Sequence, residues 1–281
     1  MEMIVRKTNY ALFTAGTLIL VAVPSVAQLT PAEIAANESS TPSDLIELTR
    51  PANDGKTKVQ YCNPPEMKRG NSYIYLWPVG KKYTAEMWFS RNMDGFGCLT
   101  NFGDKGFQID WDLKTYGFLH EVGLYNLSIP VDSIKGNPKA RHKHQLSNIT
   151  GGGGYTGLYG WFGRAGTPDS IELYINENWA GGDFGMGDTI KMGSIEVDGG
   201  IYDIYTRPRK GDRFVQWWSN RRTPRESGTI SYAKHFAAWR KLGMPSATLT
   251  RLTFALEARW GVKTGGSVKY ERFSIDQPTA R

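Results

Sequence analysis

From Asn71 onward the chain is written in short alternating runs rich in Tyr, Trp, Phe, Ile and Val, broken by Gly, Asn and Asp about every eight to twelve residues. Successive side chains of a strand point to opposite faces, so runs of this kind predict half-buried strands joined by tight turns, in an antiparallel sandwich or barrel. The runs fall at 72–77, 84–89, 106–111, 157–162, 171–176, 189–197, 200–207, 213–220, 228–232, 250–260 and 266–275. One clear helix is expected over 232–242, where Phe236 and Trp239 share a face and Gly243 supplies the stop. A chain of 281 residues is ample for one core of about 200 residues.

The first 70 residues have a different texture. Arg6 and Lys7 precede an apolar run from Ala11 to Val23, broken by Pro24 and followed by Ser25-Val26-Ala27, a small-x-small site before Gln28. Residues 1–27 therefore read as a signal peptide, because the run is shorter than the roughly 20 apolar residues a bilayer-crossing helix needs. A secreted protein without membrane attachment is expected. Residues 28–70 are polar, with Pro31, Pro42, Pro51, Pro64 and Pro65 and a short candidate helix at 31–37, and read as a leader or linker before a domain at 71–281. Cys62 and Cys98 have no zinc-type spacing. Export permits a disulfide between them, and two unpaired, partly buried thiols are the alternative.

The formal charge is +7, with one denser basic run, KGNPKARHK at 135–143. Without a helical face or interleaved aromatics it does not resemble a nucleic-acid surface. It reads as a solvated loop able to touch acidic cell-wall polymers.

Two glutamates stand out. In SIELYINE, Ile171, Leu173 and Ile175 share one face, opposite Glu172, Tyr174 and Asn176. In LTFALEARW, Leu252, Phe254, Leu256, Ala258 and Trp260 share one face, opposite Arg251, Thr253, Ala255, Glu257 and Arg259. Each carboxylate belongs to a polar face backed by a hydrophobic one. Such a pair suits a glycosidase, and the same pattern also describes solvent-facing positions on a one-sided sheet.

From about Trp88 onward the chain resembles the glycoside hydrolase family 11 endo-xylanases. The resemblance rests on GFQIDW at 106–111, LYGW at 158–161, IELYINE at 171–177, DTIKMGSIEVDGGIYDIYT at 188–206, QWWSNRRTPRESGTI at 216–230, KHFAAWRKLGM at 234–244 and FALEARW at 254–260, all in order. It implies an all-β jelly roll of two curved antiparallel sheets with one α-helix outside and a cleft on the concave face. It implies Glu172 as nucleophile and Glu257 as acid/base of a retaining endo-1,4-beta-xylanase. It further implies substrate-binding roles for Tyr159, Tyr174, Arg209 and Gln216, with Trp88 as a platform for a sugar ring. Of Trp217 and Trp218, at least one is expected to be a packing residue. No metal or organic cofactor is implied. The partner is xylan or a related β-1,4-linked polysaccharide, and the protein is expected to be a monomer.

The chain departs from the family pattern in three places. Between Tyr205 and Gln216 it has TRPRKGDRFVQ where the family carries a thumb hairpin roughly eight residues longer, which leaves a more open cleft. Gly117 aligns where the family places the Asn or Asp that pairs with the acid/base, so Arg251 and Arg259 are expected to govern Glu257 and favour its charged form. Arg251 replaces a cleft tyrosine, and His120 and Glu121 replace glycines, while the basic loop adds bulk at one end of the cleft. These departures admit two other readings: an acid-decorated xylan or another β-1,4-glycan as substrate, or a wall-binding protein that has lost efficient catalysis.

Overall fold

A computed structural model describes residues 45–49, 58–63, 72–90, 93–102, 106–115, 117–163, 170–181, 188–208, 214–258 and 262–280. The signal-peptide stretch 1–27, the candidate helix at 31–37, Arg209, Arg259 and Trp260 lie outside the described residues.

The strands in chain order are β1 (Leu45–Thr49), β2 (Val59–Cys62), β3 (Ser72–Val79), β4 (Tyr83–Phe89), β5 (Asp94–Asn101), β6 (Phe107–Thr115), β7 (Phe118–Leu124), β8 (Ile129–Pro130) and β9 (Ala140–Gly151). They continue with β10 (Gly154–Phe162), β11 (Ser170–Ala180), β12 (Ile190–Val197), β13 (Gly200–Pro208), β14 (Phe214–Arg221), β15 (Ser227–Ile230), then helix α1 (Tyr232–Lys241), β16 (Thr248–Ala258) and β17 (Thr264–Ile275). Two sheets result. The larger runs β1-β3-β4-β7-β16-β10-β11-β14-β13-β12, with β8 beside β16, and the smaller runs β15-β9-β17-β6-β5-β2. Pairing is antiparallel except for β1 with β3 and β11 with β14. This is the β-jelly roll with a single α-helix among the described residues, and no helix among them is long and apolar enough to cross a membrane.

Alternation built the core as expected. Leu252, Phe254, Leu256 and Ala258 of β16 and Ile171, Leu173 and Ile175 of β11 are buried in one cluster with Ile109, Trp111 and Val268 of the smaller sheet. Helix α1 buries Tyr232, His235, Phe236 and Trp239, residues three and four apart on one stripe. The Trp239 indole N–H donates to Ser219 Oγ at 2.9 Å, tying the helix to β14. Leu242 caps it, and Gly243 adopts φ +104°, the left-handed turn a glycine makes without steric cost.

Several stretches differ from the sequence reading, among them β5 (Asp94–Asn101), which no predicted run covered. The stretch 28–70 supplies two strands, β1 along β3 and β2 along β5. Cys62 stands directly opposite Cys98 in that second ladder, and the two form a disulfide. With its ends 36 positions apart in the chain, removing the bond is expected to cost about 3 kcal/mol of stability. Urea unfolding with and without reductant checks this, since equal midpoints would show that the bond constrains nothing.

The basic run is loop only over 135–139. From Ala140 it enters β9, a 12-residue strand between β15 and β17 in the smaller sheet. Ala140, His142 and His144 point inward while Arg141, Lys143 and Gln145 face out, so the period of two is present but its inward positions are histidines rather than hydrocarbons. Arg141 pairs with Asp276 at 2.9 Å and Lys143 with Glu271 at 2.5 Å, so the run's charge is partly matched and lies in the smaller sheet rather than at one end of the glutamate face. Strand β7 was missed for another reason: all seven of its residues are buried, and a strand covered on both faces carries no alternation.

Candidate active site

The face of the larger sheet turned away from the smaller one is itself buried. Leu119, Tyr159, Trp161, Tyr174, Trp218 and Ala255 form a second cluster there, with Trp88, Tyr155, Tyr205 and Phe214 packed against it. The reading of a one-sided sheet with solvent-facing glutamates therefore fails: Glu172 is 7% exposed and Glu257 8%.

Strand β10 lies between β11 and β16 and sets the geometry. Its odd-numbered residues Tyr155, Gly157, Tyr159 and Trp161 share the face of the glutamates, with Trp161 registered against Glu172 and Tyr155 against Glu257. Gly157 has to be glycine, because a Cβ there would stand 2.1 Å from the carbonyl oxygen of Ile175 on β11. The Tyr159 hydroxyl donates to Glu172 Oε1 at 2.8 Å, and Gln216 Nε2, registered beside Glu172 on β14, donates to Oε2 at 2.6 Å. The Tyr174 hydroxyl donates to Glu257 Oε2 at 2.8 Å, and the phenol lies near enough to Glu172 to oppose the rise in its proton affinity. Tyr155 bonds Glu257 as well. Trp218 stacks on Tyr174 with ring centroids 3.9 Å apart, while Trp217 points into the inter-sheet core.

Burial pushes the Glu172 carboxyl above the ordinary carboxylate range, opposed by the bonds from Gln216, Tyr159 and Tyr174 and by the charge of Arg251. Arg251 thus acts on Glu172. Its guanidinium is also engaged, 2.7 Å from Glu86 and 3.0 Å from Glu121, so it offers no unmatched cation to an acidic side group of a substrate. The β7 residue registered against Glu257 is Leu119, two positions after Gly117, and its hydrocarbon side chain donates nothing.

Of the residues singled out from sequence, Glu172, Glu257, Tyr159, Tyr174 and Gln216 converge directly. Trp88 joins the aromatic cluster from β4, registered against Leu119. Arg209 belongs to the connection 209–213 between β13 and β14, outside the described residues. Sequence reasoning missed Tyr155 and Trp161, although the spacing 155, 157, 159, 161 placed both on the face of Tyr159. Among the described residues no group of His, Cys, Asp and Glu is arranged to hold a metal ion.

The family model of Glycosyl hydrolases family 11 matches residues 80–270, more than half of the 281. The chain belongs to that family. Among curated family relatives, the endo-1,4-beta-xylanase S20 of Neocallimastix patriciarum is 32% identical over 206 residues, covering 68% of this chain and 56% of its own length. An endo-1,4-beta-xylanase A of Bacillus pumilus is 36% identical over 144 residues, covering 45% of this chain and 58% of its own. The chain thus spans little more than half the length of these relatives. Among solved structures, a crystal structure of a mutant ENZbleach xylanase superposes with a TM-score of 0.62 at 26% identity, over 80% of this chain and 90% of that one. A loop-swap mutant of Xyn11A from the same Neocallimastix species gives a TM-score of 0.62 at 20% identity, over 79% and 100%, and speaks for the fold alone.

Proposed function

We propose that the protein is a secreted endo-1,4-beta-xylanase that cleaves internal β-1,4 linkages of xylan with retention of anomeric configuration, with Glu172 as nucleophile and Glu257 as acid/base. The observation that carries this reading is that two adjacent phenols hold the two carboxylates, Tyr159 on Glu172 and Tyr174 on Glu257, with their ring centroids 5.0 Å apart. Carboxylates held by adjacent phenols favour the separation of about 5 to 5.5 Å used for covalent catalysis over the roughly 6.5 to 9.5 Å that leaves room for an intervening water. Membership of the family and the names of the relatives support the substrate class.

Two carboxylates this close repel when both are charged, so one proton between them is the favoured state. Gln216 N–H, Tyr159 O–H and the nearby Arg251 cation oppose the rise that burial imposes on Glu172, and in this reading the shared proton is the one Glu257 delivers. In the first step the Glu172 carboxylate attacks the anomeric carbon while Glu257 gives its proton to the departing glycosidic oxygen. In the second, Glu257 takes a proton from water, the water oxygen attacks the anomeric carbon, and Glu172 leaves as carboxylate. Gln216 Oε1 is buried without a hydrogen-bond partner among the described residues and is placed to accept from a sugar hydroxyl. The aromatic cluster supplies the flat apolar surfaces against which pyranose rings pack.

Reducing-sugar release from glucuronoxylan, arabinoxylan and a soluble cellulose derivative ranks the substrates. Proton NMR of the earliest products from xylan is expected to show the β-anomer before mutarotation. An α-anomer would rule out the covalent mechanism. Binding to xylan without any release would make this face a carbohydrate-binding groove instead.

A further inference from the structure

Next to the two glutamates, the same face of the larger sheet buries a second set of charges. Arg251 of β16, 16% exposed, places Nη1 2.7 Å from Glu86 Oε2 of β4 and 3.0 Å from Glu121 Oε1 of β7, whose side chains are 5% and 0% exposed. The Tyr125 hydroxyl donates to Glu86 Oε2 at 3.2 Å, and Thr253 Oγ1 donates to Glu121 Oε2 at 2.5 Å. A buried arginine with two carboxylates is a poor way to gain stability, since hydrophobic residues of the same volume often serve as well or better. Its position suggests another use. The guanidinium carbon lies 5.3 Å from the centroid of the Tyr159 ring and 5.7 Å from that of Trp161.

The Tyr159 hydroxyl has one proton to give and two lone pairs to fill. The Trp161 indole N–H donates to it at 2.7 Å, and Arg251 Nη2 approaches it at 3.4 Å. Neither group can accept a proton. The hydroxyl's own proton is thereby directed to Glu172 Oε1, 2.8 Å away. We infer that Arg251, clamped by Glu86 and Glu121, is a positioning residue for Glu172: through Tyr159 it holds the phenolic proton on the carboxylate and keeps that carboxylate ionised. The inference rests on the reading of Glu172 as nucleophile.

The charge count of the cluster supports the inference. Burial, reinforced by the charge of Glu86 and opposed by that of Arg251, raises Glu121 to about 8. Glu121 is then neutral at pH 7 and adds no negative charge to the field on Glu172. Facing Glu172 are Tyr159, Tyr174, Gln216, Arg251 and Glu257, and facing Arg251 are Glu86, Glu121, Tyr125 and Tyr159.

The test is a titration of the Glu172 carboxyl by carbon NMR in the full chain, with its signal assigned by its loss in Glu172→Gln. Arg251→Met is expected to raise the Glu172 midpoint by about one pH unit, a tenfold gain in proton affinity. In a Tyr159→Phe background the same substitution is expected to move it by less than half as much. On xylan, kcat should fall about tenfold with KM little changed, and the acid limb of the rate profile should move with the NMR midpoint. If Arg251→Met fails to fold because Glu86 and Glu121 lose their buried partner, Arg251→Met with Glu86→Gln and Glu121→Gln carries the same test without unpaired charge. An unmoved midpoint in a folded variant overturns the inference, as does a full shift that persists in the Tyr159→Phe background. The titration needs no turnover. Wild-type protein that hydrolyses no xylan would sink the nucleophile reading alone, whereas an active enzyme with an unmoved midpoint would sink the role of Arg251 alone.

Discussion

Glu172→Gln is expected to lower the turnover of xylan by about 10⁴-fold or more while leaving the fold and the affinity for xylan oligosaccharides nearly intact. Glutamine keeps the shape of the side chain, and its Oε1 can still accept from Tyr159, so the loss would fall on the attack at the anomeric carbon. The other oxygen becomes an amide N–H facing Gln216 Nε2, two donors head to head, and a rotation of the Gln216 amide that brings its unpartnered Oε1 forward relieves this. Single-turnover kinetics on a substrate with an activated leaving group would separate the two steps. Glu257→Gln should spare formation of the glycosyl-enzyme on such a substrate, because the leaving group no longer needs a proton, and slow its hydrolysis. Equal damage to both steps in both variants would reject the assignment of roles.

The second large effect is on stability against pH. Burial depresses three imidazoles, His120 and His144 to about 3 and His235 to about 4. Their surroundings explain why. The His120 ring packs 4.1 Å from that of Phe118 and 4.9 Å from that of Phe89, and both ring nitrogens of His235 lack a hydrogen-bond partner among the described residues. Below pH 6.5 the unfolded chain binds protons that the folded one refuses, so the stability these groups permit is complete above 6.5 and is lost as pH falls. Each contributes a slope of about 1.4 kcal/mol per pH unit. Glu121, raised to about 8, acts in the opposite sense: from its ordinary range up to 8 the folded state holds the extra proton, and stability declines as pH rises. Glu172, also raised by burial, adds to that decline. Three histidines outweigh two glutamates between pH 4.5 and 6.5. Below 4.5 the slope steepens, and Glu177, lowered to about 2 against burial by His142 and Arg225, adds its own loss as pH falls through that value. A maximum near pH 6.5 follows, with several kcal/mol lost by about pH 4.5 and a further loss toward pH 8. Urea midpoints at pH 4.5, 5.5, 6.5 and 8 would show it. Glu121→Gln is expected to flatten the alkaline side and to steepen the acid side between 4.5 and 6.5, where Glu121 offsets part of the histidine slope; a flat profile from 4.5 to 6.5 would mean the imidazoles are not held neutral.

How much was legible beforehand varies by residue. The faces of Glu172 and Glu257 followed from alternation alone, since Ile171, Leu173 and Ile175 on one side and Leu252, Phe254, Leu256 and Ala258 on the other define a core from local order. The same rule, carried along β10, places Tyr155 and Trp161 beside Tyr159, yet it does not say which strand lies next to β10. That depends on ladders between β10, β11 and β16, segments up to about a hundred residues apart in the chain. The pairing of Cys62 with Cys98 and the neighbourhood of Arg251 were likewise undetermined, because proximity across strands is set by register.

By itself, then, the sequence determined the strand texture, the helix with its glycine stop, the side of the sheet on which each glutamate lies, and the family motifs. Only the tertiary structure decided that the glutamate face is buried under aromatics, that His142 and His144 occupy a strand interior, that Leu119 rather than a polar residue stands across from Glu257, and that Arg251 is held by Glu86 and Glu121 beside Tyr159. The physical reason is that side-chain direction is a local property of the backbone with a period of two, whereas burial and proton affinity depend on what other strands bring against that face.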